Sequence, residues 1–156
     1  MADAAQVLQA ARAKGWRIAT AESCTGGLIA GALTEIAGSS DVVECGFVTY
    51  SNAAKQKMLG VTETSLEAHG AVSEQVAREM AEGALRASGV ELAVSVTGIA
   101  GPGGSEFKPE GMVCFGVATA RGVVTETVQF GPLGRAQVRQ ATVTHALDSL
   151  LKAALS

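Results

Sequence analysis

The chain has 156 residues, enough for one ordinary domain that buries roughly 68 to 70% of its unfolded surface without disulfides or metals. Its net charge of −3 and 4% aromatic content supply neither the basic footprint nor the stacking rings of a nucleic-acid binder, so the expected partner is a small molecule. Three cysteines, Cys24, Cys45 and Cys114, are an odd set without a C-x-x-C pair, which argues against a disulfide framework or a zinc site and for the reducing cytoplasm.

Residues 3 to 14 place Val7, Leu8 and Ala11 on one face of a helix that Gly15 ends. The charges mixed into this segment leave no uninterrupted apolar core of the kind a signal peptide has, and no later segment is long enough to span a bilayer. WRIATA predicts a short strand. Residues 26 to 36 predict a helix, with Leu28, Ile29, Ala32, Leu33 and Ile36 recurring at helical spacing until AGSS stops it. VVECGFVTY, 42 to 50, reads as a buried strand, after which Ser51 or Asn52 caps a short helix closing at Gly60. Ser73 starts a helix that runs to about Ser88 with Val76, Met80, Ala84 and Leu85 inward. VELAVSVTG follows as a central strand leading into a glycine-rich stretch, 98 to 104. MVCFGVATA and VVTETVQF flank Arg121-Gly122 as a hairpin, and Arg135 to Leu155 forms a long amphipathic helix. The expected fold is α/β, a single domain over residues 1–156, in three layers: a mixed, mostly parallel sheet with helices on both faces and one β-hairpin.

The stretch TAESCTGG lies where the first strand ends and the second helix begins. In open α/β sheets ligands collect beyond the carboxyl ends of strands, and a helix N-terminus offers free N–H groups to an anion or oxyanion. Ser23 and Cys24 are both candidate nucleophiles there, the thiol being intrinsically the stronger, while Ser23 or Thr25 can equally serve as a simple helix cap. A hydroxyl needs a base to take its proton. Neither His69 nor His145 has a sequence feature that brings it to Ser23. Lys55, in TYSNAAK, falls in the first turn of a helix, where the dipole disfavours a cation and would lower its pKa toward that of a general base; Tyr50 could pass a proton or hold it. VSVTGIAGPGG is a second strand-to-glycine-loop element, but it has no G-x-x-x-x-G-K-[ST] pattern, so a P-loop is rejected. GRAQVR sets Arg135 and Arg139 four apart at a helix start, an arrangement that an anion would relieve.

Taken in order, TAESCTGG, AGSS, GFVTYSNAAK, HGAVSE, VSVTGIAGPGG, KPEG and GRAQVR resemble the CinA C-terminal domain family over nearly the whole chain. Stand-alone members of that family include nicotinamide-nucleotide amidohydrolases, and longer members carry an additional N-terminal domain. The resemblance implies hydrolysis of the carboxamide of nicotinamide mononucleotide to nicotinic acid mononucleotide and ammonia, without metal or cofactor. It implies Ser23 as nucleophile, Lys55 as its base and Tyr50 as relay or orienter. N–H groups around Thr25, Gly26 and Gly27 would hold the oxyanion, and Ser40, Thr97, Gly98 and either Arg135 or Arg139 would bind ribose or phosphate. The loops GPGGSEFKP, with Ser105 and Lys108, and FGPLGR differ in length from the family pattern. A homo-oligomer is expected. The competing reading is a non-catalytic nucleotide-binding or regulatory module serving a competence- or damage-response partner, although a pure binder has no need of a serine, tyrosine and lysine at its pocket.

Overall fold

Most helices begin and end where the sequence supplies a cap. The computed structural model describes residues 2–105 and 107–156. α1 (Ala4–Lys14) starts on Asp3, whose carboxylate accepts from the Gln6 N–H in a capping box, and stops at Gly15 in the left-handed region, φ 69°. Ser51 and Gly60 bracket α3 (Asn52–Leu59) in the same way, and Ser73 and Gly89 bracket α5 (Glu74–Ser88). α6 spans Arg135–Leu155, the range its periodicity predicts. α2 (Leu28–Thr34) is shorter than the expected 26 to 36, because Gly26 and Gly27, with φ of 57° and 106°, belong to the turn before it. α4 (Glu63–His69) is unforeseen: none of its residues is buried, and its local signals are confined to its ends, with Thr62 accepting from the Ser65 N–H and Gly70 donating to the Leu66 carbonyl.

The strands β1 (Ile18–Glu22), β2 (Val43–Val48), β3 (Leu92–Gly98), β4 (Met112–Thr119) and β5 (Gly122–Gln129) form one sheet in the order β2-β1-β3-β4-β5. β1 is parallel to both β2 and β3, while β4 and β5 add an antiparallel hairpin, so β4 alone opposes the common direction. This is the expected mixed, mostly parallel sheet with β3 at its centre. The expectation of a buried strand for residues 42 to 50 is corrected: β2 is an outer strand whose residues alternate between half-buried and exposed. The crossover through α2 carries it to the edge, where Glu44 forms an ion pair with Arg17 at 2.9 Å.

Side chains alternate faces along a strand, and the two faces of this sheet differ in size. On one, Ile18, Leu92, Val94, Val96 and Phe115 pack against Leu8, Ile29, Leu33, Val138 and Leu150 of α1, α2 and α6. On the other, Ala19, Ala21, Ala93 and Ala118 meet Val76, Met80 and Ala84 of α5. The small residues let α5 lie close: the Ser95 hydroxyl donates to the Ala77 carbonyl at 2.6 Å, and a Cβ on Gly116 would stand 2.7 Å from the same oxygen. α3 crosses α5 at Gly83, where an added Cβ would overlap the Leu59 carbonyl. Among the described residues no helix is long and apolar enough to cross a membrane.

Gly83→Ala is therefore expected to lower stability by about 1 to 3 kcal/mol, since two backbones must separate to admit the methyl group. Gly31→Ala, on an exposed turn of α2 with nothing within 4 Å, should instead leave stability unchanged or raise it by up to about 1 kcal/mol. Urea midpoints followed by circular dichroism measure both.

Candidate functional site

Because β1, β2 and β3 run parallel, their carboxyl ends share one sheet edge, and the segments leaving them line a cleft of about 360 Å³. β1 delivers Glu22 and then Ser23, whose N–H bonds to the Val96 carbonyl of β3 at 3.1 Å and so extends the sheet past the strand. The Glu22 carboxylate is fully buried. It accepts from the Thr25 hydroxyl at 2.5 Å and from the amides of Gly27 at 3.2 Å, Ile29 at 2.9 Å and Ala30 at 2.9 Å. A carboxylate survives burial only with such partners, and the first turn of a helix is where they are free. The chain from Cys24 to Gly27 must wrap around this group, which the left-handed conformations of Gly26 and Gly27 permit. From the other side Arg139 clamps the same turn, with Nε donating to the Cys24 carbonyl at 3.1 Å and Nη2 to the Thr25 carbonyl at 3.2 Å.

β2 brings in the amine. The Thr49 N–H donates to the Glu22 carbonyl at 2.8 Å, after which Ser51 starts α3 and directs Lys55 inward from its first turn. Lys55 is 2% exposed, and its Nζ lies 3.0 Å from Ser23 Oγ, 3.0 Å from the Thr49 carbonyl and 3.4 Å from the Tyr50 carbonyl. In its neutral form the amine can donate to the two carbonyls and turn its lone pair to the serine hydroxyl, an arrangement suited to proton abstraction.

The other candidate nucleophile and bases lack this arrangement. Burial pushes the Cys24 thiol up to about 11, away from the reactive thiolate. His69 is exposed, with its carbonyl accepting from Lys108 Nζ at 2.6 Å. His145 sits on α6 with Nε2 2.6 Å from Glu126 Oε1 and its ring against Phe115. Neither histidine lines the cleft.

Several expected ligand contacts are relocated. The Tyr50 side chain lines the cleft, but it is 60% exposed and its hydroxyl accepts from Arg135 Nη2 at 2.6 Å; its carbonyl lies 3.4 Å from Lys55 Nζ. The Thr25 hydroxyl is committed to Glu22, as is the Gly27 N–H, and the Gly26 N–H closes the turn on the Ser23 carbonyl at 3.1 Å. The N–H groups of Gly26 and Gly27 are thus already bonded within the turn, while at Thr25 it is the hydroxyl that is engaged. Ser40 is also corrected. It lies in a single 3-10 turn, Ser39–Asp41, at the amino ends of β1 and β2, the opposite sheet edge, where its carbonyl accepts from Arg17 at 3.4 Å.

Thr97 and Gly98 do line the cleft. Thr97 Oγ1 donates to the Ala71 carbonyl at 2.9 Å, and Gly98 is required by β4, since a Cβ there would meet Val113 Cγ2 at 2.6 Å. Of the two arginines, Arg135 lines the cleft and Arg139 does not. Arg135 spans its mouth, with Nη1 donating to the Gly101 carbonyl at 2.8 Å and Nη2 reaching Tyr50. Asn52, foreseen only as a cap, joins the lining. The buried cap made by Glu22 and the carbonyl of Thr49 are unforeseen, although a carboxylate directly before a glycine-started helix is a legible sign of the first.

The fold is thus an open α/β sheet that brings a serine and a buried lysine together beyond the carboxyl ends of its parallel strands. The CinA C-terminal domain model matches residues 2–154, and the chain belongs to that family. It is 56% identical to nicotinamide-nucleotide amidohydrolase PncC of Enterobacter agglomerans, over 92% of this chain and 88% of that one. The PncC of Escherichia coli K12 is 53% identical over 93% and 88%. A CinA-like protein of Chlorobium phaeobacteroides is 63% identical over 75% of this chain, which spans only 29% of that longer protein. The crystal structure of the competence/damage inducible protein CihA from Agrobacterium tumefaciens superposes with a TM-score of 0.93 at 51% identity, covering 98% of this chain and 93% of that one.

A thiol raised to about 11 is ionised to only about one part in a thousand at pH 8. Iodoacetamide at that pH is expected to label the half-buried Cys45 first and to spare the buried Cys24 and Cys114 until the protein is unfolded, as read by peptide mass spectrometry.

Proposed function

We propose that this chain hydrolyses the carboxamide of nicotinamide mononucleotide to nicotinic acid mononucleotide and ammonia, with Ser23 as nucleophile and Lys55 as base. The observation that carries the reading is the 3.0 Å approach of Lys55 Nζ to Ser23 Oγ at the cleft. The substrate is supported by the names of relatives at 53% and 56% identity that this chain covers over 88% of their length. Burying a lysine against a serine costs desolvation that a purely binding module has no reason to meet, which counts against the regulatory reading.

In the proposed reaction Ser23 Oγ attacks the carboxamide carbon as its proton passes to Lys55 Nζ. The carbonyl electrons move onto oxygen, and the Cys24 and Thr25 N–H groups, on the turn just after the nucleophile, are the candidate donors for that oxyanion, because those of Gly26 and Gly27 are already bonded. Collapse breaks the C–N bond. The Lys55 ammonium returns the proton to the leaving nitrogen, which departs as ammonia and leaves an ester on Ser23. Water then attacks the ester, giving its proton to Lys55, and the serine oxygen leaves and is reprotonated, releasing the carboxylate. No step calls for a metal or cofactor. Arg135 is the cation assigned to the phosphate, with Tyr50 holding it rather than relaying protons. Three unbridged cysteines fit a reducing cytoplasm, and the exposed apolar side chains of Leu28, Val48 and Met58 fit a homo-oligomer.

Ammonia release from nicotinamide mononucleotide tests the assignment. Ser23→Ala and Lys55→Met should each lower kcat by about 10³-fold or more, with the double variant scarcely worse, since residues acting as a unit are not additive. Cys24→Ala should stay active. The rate should rise with pH as the amine becomes neutral, and EDTA should leave it unchanged. Full activity in Lys55→Met, or loss in Cys24→Ala with Ser23→Ala active, would reassign the chemistry.

Arg135→Ala should weaken use of the mononucleotide by about tenfold or more while changing use of nicotinamide riboside little, as expected for loss of a charge-assisted contact to phosphate. Arg139→Ala should instead lower thermal stability, through the freed Cys24–Thr25 turn, and affect both substrates alike.

A further inference from the structure

Glu110 does not line the cleft, yet it joins two of the segments that do. Its Oε1 accepts from the Gly103 N–H at 2.8 Å and its Oε2 from the Gly134 N–H at 2.9 Å. Gly103 belongs to the glycine loop after β3, and Gly134 is the residue directly before Arg135 and α6. Both segments are built on glycines in the left-handed region: φ is 94° at Gly101, 77° at Gly103, 86° at Gly131 and 91° at Gly134. Such backbone has little intrinsic stiffness, so its position must come from contacts.

The carboxylate supplies them from a fixed base. Gly101 is pressed against it so closely that a Cβ would stand 2.5 Å from Glu110 Cδ. The next residue, Gly111, donates to the Ile99 carbonyl at 2.8 Å and accepts from the Phe130 N–H at 2.8 Å, and an added Cβ on it would overlap the Gly131 backbone. The amides of Gly103 and Gly134, at a glycine loop and a helix start, are the kind of N–H groups that bind anions. Here an internal anion already holds them.

We propose that Glu110 is a positioning residue that fixes the glycine loop and Arg135 at one spacing, and so places the Arg135 guanidinium for the substrate's phosphate. It thereby sets the preference for a phosphorylated over an unphosphorylated nicotinamide nucleoside. This rests on the role given to Arg135 above. Glu110 touches no reacting atom, so its influence falls on substrate binding and leaves the Ser23–Lys55 pair as it is.

Glu110→Gln tests this, because it keeps the volume but replaces one acceptor oxygen with an amide that faces a donor. KM for nicotinamide mononucleotide should rise about tenfold or more, with kcat and the KM for nicotinamide riboside within about twofold of wild type. Glu110→Asp, which keeps both oxygens, should recover part of the loss. Hydrogen exchange should quicken in peptides covering 99–105 and 131–136 and stay unchanged in those covering 18–27 and 49–55. Equal KM increases for both substrates, a loss confined to kcat, or unchanged exchange would overturn the proposal. A wild-type protein inactive on both substrates would overturn the function proposed above instead, and the exchange measurement would still decide whether Glu110 holds the two segments.

Discussion

The buried carboxylate of Glu22 is the contact on which the cleft edge of the sheet depends. Its side chain collects the Thr25 hydroxyl and three amides at the start of α2, while its own carbonyl accepts the Thr49 N–H. One residue therefore shapes the turn that presents Ser23 and anchors the strand end whose Thr49 carbonyl meets Lys55. A side chain with the same bulk but fewer acceptors would strand buried N–H groups at the helix start, each at a cost of about 1 to 3 kcal/mol. Serine and lysine are brought together less by attraction for each other than by sharing this neighbour.

The same contact changes the electrostatic picture of the site. A helix beginning beside a candidate nucleophile invites the idea that its dipole serves the ligand, but the first turn of α2 is spent on Glu22. Positive character in the cleft has to come from elsewhere: from Arg135 at its mouth and from the N–H groups of the turn that Glu22 does not engage. Arg139, four residues after Arg135 on α6, adds structure instead, because its guanidinium is drawn to the carbonyls of Cys24 and Thr25. Two arginines on one face of α6 thus acquire different duties from their height along it, Arg135 at the first residue beside Gly101 and Tyr50 and Arg139 one turn on beside the Cys24–Thr25 turn.

That division marks the boundary of what local sequence encodes. Asp3, Ser51 and Ser73 as caps, Gly15, Gly60 and Gly89 as stops, and the hairpin around Arg121-Gly122 are written in side chains that act within a few residues, and the elements they delimit are legible. The proximity of Ser23 and Lys55 is legible in outline, because each stands at the carboxyl end of a strand and parallel neighbours bring such ends together. What lies beyond is set by pairing and packing. β2 carries strand-like residues whether it is central or outer, and only the crossover through α2 decides. Ser40 follows a helix, as a ligand-binding loop residue could, but the chain has by then returned to the far edge of the sheet. The turning of the Tyr50 hydroxyl toward Arg135 and the two-way reach of Glu110 depend on partners 85 and 24 residues away, beyond any local pattern.

The crossing at Gly83 bears on more than packing. Leu59, whose carbonyl rests against that glycine, lies one helical turn beyond Lys55, so α3 behaves as a short lever with its pivot on α5 and its working end at the amine. A methyl group at position 83 would have to push α3 away from α5, and the helix that carries Lys55 would move with it. A glycine on the outer layer of the fold is in this sense tied to the placement of the Lys55 amine.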